Sequence, residues 1–178
     1  WAQRNIELLH QFLSQGEDLD WRDKGMANNL LWIMQQNPDA RIAIWAHNAH
    51  ISRSQSRTSS SRPLGAFLKD SLADDFRSFG FVCFEGEFTA KKGPQYFPAI
   101  LKPEPGTLEY LLEQLNEPQF ILNLKKMREE KAHALQWIDK QVFRAIGANP
   151  DAIYDTRVSD MFDYLIFIRN TSASQLLQ

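Results

Sequence analysis

The stretch RIAIWAHNAHISR, residues 41–53, carries two histidines, His47 and His50, with Asn48 between them. A neutral imidazole offers one donor and one acceptor and titrates near physiological pH. Paired histidines therefore suit metal ligation, acid–base catalysis or donation to a developing oxyanion. A single histidine in such a place is more often a structural hydrogen-bonding residue, but two with an interposed Asn bring the functional and structural readings to about even weight. A zinc site needs a third protein ligand, and nothing nearby matches HExxH or a Cys–His finger. Metal or haem chemistry at the pair is thus the minor alternative. Glu85 and Glu87 lie in FGFVCFEGEF and share one face of a strand, so a carboxylate there can line the same crevice or simply be solvated. Arg53, Arg57 and Arg62 can clamp an anionic or polar ligand or keep a serine-rich loop soluble. Arg22 and Asp23 read as a polar pair, buried or on the surface, and capping alone would justify Asp23. There is no GxSxG elbow, and Cys83 falls inside an apolar strand, so the residues do not point to an acyl-enzyme.

These groups need a scaffold. Arg41 to Ala46 alternate with β-branched and aromatic side chains after the turn-like Asn37-Pro38-Asp39, which predicts a buried strand over 41–46 with the histidines at its carboxyl end. In open α/β sheets ligands bind at that end. DWRDKGMANNLLWIMQQN predicts a helix capped by Asp20, with Met26, Leu30, Ile33 and Met34 as its stripe. PLGAFLKDSLADD predicts another, with Pro63 near its first turn. Further strands are predicted over 79–88, 120–124 and 162–168, a proline-rich loop over 91–106, a short helix at about residues 107–115 and a charged helical stretch around KKMREEKAHALQWI. Residues 52–62, rich in serine and arginine with no apolar anchor, are expected to form a flexible loop that orders around a ligand. The alternation of helices and strands predicts an α/β fold, a mostly parallel or mixed sheet flanked by helices.

The chain has 178 residues, 43% apolar and 24% charged, enough to bury a core as one domain or as a large part of a bigger one. Lys and Arg number 20 against 22 acidic residues, so no net field favours nucleic acid or an anionic membrane, and neither is expected as a partner. The single cysteine excludes an internal disulfide. No run approaches the roughly twenty apolar residues of a membrane helix and no leader pattern opens the chain; the expected compartment is the cytoplasm. Trp1 stands where an initiator Met would, and Ile6, Leu9 and Leu13 already show helical spacing. The chain is therefore expected to be a fragment of a larger α/β domain.

Several blocks occur in a telling order: RDKGMANNLLWIMQQ, WAHNAHI, PLGAFLKDSL, GFVCFEGEFTA, RAIGA and FDYLIFIRNTSAS. Together they resemble the carboxyl-terminal half of the erythromycin esterase family, and WAHNAH is the most specific of them. The resemblance implies an α/β core, no cofactor, and hydrolysis of an ester or macrolide lactone, an antibiotic-resistance activity in the characterised members. It places His47 and His50 in the cleft as catalytic groups; Asn48, Arg53, Glu85 and Glu87 are the substrate-binding candidates that the residues themselves suggest. The water-activating base and its acidic partners are expected in the amino-terminal half, so the fragment alone is expected to be inactive and that half is its expected partner. Two departures stand out: Asn28 occupies a position where relatives usually carry Glu, and the family's GEGTF pattern reads Glu85-Gly86-Glu87-Phe88. A non-catalytic binding module on the same scaffold is the alternative. Direct attack by activated water fits an ester, since hydrolysis needs a base, oxyanion donors and a proton for the leaving alkoxide.

Overall fold

A computed structural model describes residues 2–14, 16–57, 59–92, 95–101, 104–146 and 153–175. The chain divides into two compact units, one of residues 1–55 and 59–76, the other of residues 56–58 and 77–178.

The first unit is helical. Helix α1 (Ala2–Leu13) is followed by α2 (Trp21–Gln36), the short α3 (Asn48–Ile51) and α4 (Leu64–Leu72), which ends in a 3-10 turn, Ala73–Asp75. Its core is small: Ala27, Leu64 and Leu68 are buried, with Met26, Leu30, Leu31, Phe67, Leu72 and Phe76 packed around them. This seam joins α2 to α4, and each large aliphatic side chain buried in it contributes about 1.5–3 kcal/mol. Burial in α2 is confined to Ala27, so the helix rests on one narrow stripe.

The second unit carries the sheet. Strands β1 (Phe79–Lys92), β2 (Gln95–Leu101), β3 (Gln119–Asn123) and β6 (Tyr164–Thr171) are ordered β2-β1-β6-β3. The β1–β6 pair is parallel, and β2 and β3 are antiparallel at the edges, so the sheet is mixed. Val82, Leu165 and Phe167, on the central strands, have no exposed surface, as the continuous apolar runs require. Edge strand β3 alternates exposed and half-buried residues and leaves Ile121 at 60% exposure. Helix α5 (Leu108–Glu113) packs on β1 and β6; α6 (Leu124–Glu129) packs on β6, and both α6 and α7 (Leu135–Ile138) meet α8 (Val158–Met161). A two-stranded ladder, β4 (Phe143–Arg144) with β5 (Ile153–Tyr154), completes the unit. No helix among the described residues is long and apolar enough to cross a membrane.

Two expectations are corrected. Residues 41–46 do not form a strand: no ladder includes them, and Ile42, Ile44 and Trp45 are exposed. Apolar alternation marks a segment suited to a sheet, but a strand exists only where a neighbouring backbone takes its hydrogen bonds. Residues 91–106 are not one long loop either, because β1 continues to Lys92 and β2 returns antiparallel with Ala90 opposite Phe97 and Thr89 opposite Pro98. Pro98 is tolerated because β2 lies on the sheet edge, where one side of the backbone needs no partner. The histidines consequently follow a segment that belongs to no ladder into a helix rather than closing a sheet strand.

Candidate active site

His47 is the N-cap of α3, with extended backbone at φ −63° and ψ 150°. Its Nδ1 accepts the N–H of Ala49 at 3.1 Å, which takes the place of a serine or aspartate oxygen at a helix start. An Nδ1 that accepts leaves the proton of a neutral His47 ring on Nε2. Asn48 begins α3 and its carbonyl accepts the N–H of Ser52 at 3.1 Å.

His50 faces a different neighbour. Its Nδ1 lies 2.9 Å from both carboxylate oxygens of Asp23, with the side chains 23% and 12% exposed respectively. On the other side of the ring, Nε2 is 3.3 Å from Nη1 of Arg22. Guanidinium can only donate, so Nε2 accepts and Nδ1 carries the proton given to Asp23. Arg22 and Asp23 are adjacent in the first turn of α2, and together they grip one imidazole from opposite edges.

Asp23 has a second task. Its Oδ2 accepts the N–H of Leu64 at 2.8 Å, the first residue of α4. Pro63 occupies the N-cap of α4 and has no side-chain acceptor, so α2 supplies the cap that α4 lacks. Asp20, expected to cap α2, makes no side-chain cap bond there; its Oδ1 accepts the N–H of Arg62 at 2.6 Å instead. The carboxylate is drawn off because the chain leading into α4 offers it a donor. Close backbone approach fixes the other side: a Cβ on Gly65 would stand 2.3 Å from the carbonyl oxygen of Ile51 and 2.5 Å from that of Ser52. Only glycine lets the first turn of α4 meet the end of α3, which carries His50.

The remaining candidates lie elsewhere. Arg53 sits just after α3, half-buried. Arg62 donates to Ala66 O at 3.1 Å, pairs with Asp70 and covers the Phe67 ring at 4.4 Å, so its guanidinium is occupied along α4. Arg57 belongs to the second unit, where it pairs with Asp155 at 2.6 Å. Glu85 and Glu87 also belong to the second unit, exposed near the middle of β1 on either side of Gly86, whereas the histidines belong to the first. Gly86 has φ +111° and lies against Thr171 O, so a side chain there would be both strained and blocked. Asn28 is exposed on α2. Burial pushes the Cys83 thiol up, which keeps it protonated and unsuited to attack. Among the described residues no group of three or more His, Cys, Asp or Glu could hold a metal ion.

Sequence reasoning weighed Arg22 and Asp23 as a pair with each other or as a cap, and missed that their partner is His50. Nothing in the spacing could have joined them, since the ion pair links residues 27 positions apart. The one signal available was a charged Arg-Asp step in the first turn of a helix.

Helices in one unit and helices around a mixed sheet in the other define an α/β protein. The chain matches the erythromycin esterase family over residues 2–171 and belongs to it. It is 33% identical over 94 residues to an erythromycin esterase type II of Escherichia coli, an alignment covering 48% of this chain and 22% of that protein. A Bacillus cereus protein of known structure superposes with a TM-score of 0.76 at 23% identity, over 89% of this chain and 40% of its own. A succinoglycan biosynthesis protein gives 0.76 at 24% identity, over 86% of this chain and 38% of its own. The open conformation of an erythromycin esterase mutant, EreC, gives 0.65 at 15% identity, over 98% and 44%. At these identities the structural likeness speaks to the fold alone, and this chain spans less than half the length of each relative.

Proposed function

We propose that this chain contributes the proton-transfer centre of a hydrolase that cleaves an ester or macrolide lactone by activated water. The observation that carries it is the geometry of His50: Nδ1 on both oxygens of Asp23, Nε2 3.3 Å from Arg22 Nη1. In the proposed step His50 takes the base's role expected of the amino-terminal half. The Arg22 guanidinium swings off Nε2 toward the substrate carbonyl, and a water takes its place at Nε2 and gives up a proton to it as the water oxygen bonds to the carbonyl carbon. Asp23 stabilises the imidazolium that forms and keeps its tautomer. Arg22 stands where it can donate to the tetrahedral oxyanion. When the oxyanion collapses the C–O bond to the alkoxide breaks, and His50 returns the proton to that leaving oxygen, so the products are a carboxylic acid and an alcohol. His47, at the N-cap of α3 three residues before His50, is assigned to orienting the substrate. Groups that close over the substrate come from the part of the family fold that this chain does not span, so this chain alone is expected not to turn over.

The test is hydrolysis of a panel of macrolides and simple lactones by this chain joined to the rest of the family fold. His50→Ala should lower kcat on the order of a hundredfold to ten-thousandfold. Asp23→Asn should lower kcat with little change in KM, because it acts through His50. His47→Ala should act mainly on KM. Full activity in the His50 variant removes the assignment. No hydrolysis of any ester by a folded, complete protein favours the binding module, in which the Asn28 departure marks lost chemistry.

A further inference from the structure

The start of α2 carries three aspartates, Asp18, Asp20 and Asp23, whose hydrogen bonds depend on one another. Asp18 Oδ1 accepts the N–H of Asp20 at 2.9 Å. That amide is the donor which an acid at the third helical position takes when it reaches back to the N-cap, so the local partner of Asp23 is already engaged. Asp20, at the N-cap, makes no cap bond, and its Oδ1 accepts the N–H of Arg62 at 2.6 Å. Asp23 Oδ2 accepts the N–H of Leu64 at 2.8 Å, while both Asp23 oxygens lie 2.9 Å from His50 Nδ1. Pro63 stands between Arg62 and Leu64 and has no N–H. The two amides that flank it are therefore both held, each by one carboxylate of α2, and Asp20 and Asp23 are three apart and so neighbours on one helix face.

We propose that Asp20 is a positioning residue for His50: by holding Arg62 N–H it fixes the entry to α4 and so keeps the Asp23 carboxylate aligned with the imidazole. The inference rests on the proposed hydrolytic function for its effect on the reaction. Asp23 Oδ2 serves Leu64 and His50 at once, so a shift of Leu64 draws that oxygen away from Nδ1. One bond, from Asp23 to Leu64, lets the entry to α4 turn about it, and the second, from Asp20 to Arg62, stops that turn. Arg62 completes the link from its own side, because its guanidinium donates to Ala66 O and pairs with Asp70 along α4 while its backbone is held by α2. Asp20 thus acts through Leu64 and Asp23 rather than on the reacting atoms.

The test is the His50 tautomer in long-range proton–nitrogen correlation spectra of this chain and of its Asp20→Ala and Asp20→Asn variants. Asp20→Ala should lose the single Nδ1-protonated pattern of His50, with dispersed amides in α2 and α4 reporting that the helical unit is folded. Asp20→Asn keeps an acceptor for Arg62 N–H and should restore the pattern. His47, whose Nδ1 bond to Ala49 N–H is local to α3, should be unchanged in both. If Asp20→Ala unfolds the unit, Asp20→Ser is read instead, because serine gives α2 a cap bond of its own and is one bond shorter than aspartate toward Arg62. A merely structural role for Asp20 would lower the urea midpoint and leave the His50 pattern of the folded protein as it is, and that result overturns the proposal. Equal loss in Asp20→Asn and Asp20→Ala also overturns it, since the Arg62 bond is then not what holds the ring. In the complete fold, Asp20→Ala should lower kcat on the order of tenfold to a hundredfold with KM held. Full activity in a variant that has lost the pattern removes His50 as the base and keeps its positioning by Asp20, because the spectra do not depend on hydrolysis.

Discussion

Asp23 is the residue on which the site turns, because one carboxylate holds the imidazole of His50 and caps α4 through Leu64 N–H. Its replacement by Ala should therefore cost stability as well as chemistry, about 0.5–2 kcal/mol from the lost cap alone, measured by urea unfolding. Asp23→Asn keeps an acceptor for Leu64 and should recover most of that loss without restoring catalysis. In the second unit a different buried acid sets a pH dependence. Glu109 has no exposed surface; its Oε1 accepts Arg144 N–H at 2.8 Å and its Oε2 is buried without a hydrogen-bond partner. Burial pushes its pKa above the usual carboxylate value, outweighing the bond and charge of Arg144. A folded value above the unfolded one means the folded state holds the proton more tightly. The stability tied to that proton is fully present below the unfolded value of 4.5 and is lost as pH rises through the folded one. Glu109→Gln should flatten this decline in unfolding free energy above pH 4.5. An unchanged slope would assign the pH dependence to other groups.

At the scale of elements, the helices α2 and α4 and the central strands β1 and β6 were legible because their apolar patterns answer to packing within the chain. The end of β1 and all of β2 were not, since Gly and Pro in 91–106 read as breakers, and only the tertiary position at a sheet edge makes Pro98 acceptable in a strand. Residues 41–46 failed in the opposite direction: the pattern is that of a strand, and pairing is a property of the neighbour. His47 and His50 stood out by type and spacing, while Asp23 did not, because a contact between helices leaves no mark in local sequence. The junction of α3 with α4 is the most sensitive element contact of the site. Gly65→Ala puts a methyl group 2.3 Å from the Ile51 carbonyl, and a backbone oxygen cannot turn aside as a side chain would. The variant should lose about 1–3 kcal/mol of stability in denaturant titration and should displace His50 from Asp23. Wild-type stability would show that α3 moves freely against α4.

For the whole molecule, the residues proposed for proton transfer lie in the helical unit, while the sheet unit holds the larger core. Leu68→Ala, in the seam between α2 and α4, should cost about 2–5 kcal/mol and loosen the site, whereas His50→Ala should leave unfolding unchanged. The chain belongs to the erythromycin esterase family and spans 40% of a Bacillus cereus protein of the same fold, so the proposed hydrolysis is to be tested in a complete fold. What this chain must supply by itself is the orientation of His50. Long-range proton–nitrogen correlation spectra of the imidazoles test that directly. The geometry predicts a proton on Nδ1 of His50 and, in the same molecule, on Nε2 of His47, with His50 losing its single tautomer in Asp23→Asn. A His50 ring protonated on Nε2 alone, or one indifferent to Asp23→Asn, would contradict the assignment of His50 as an aspartate-anchored base.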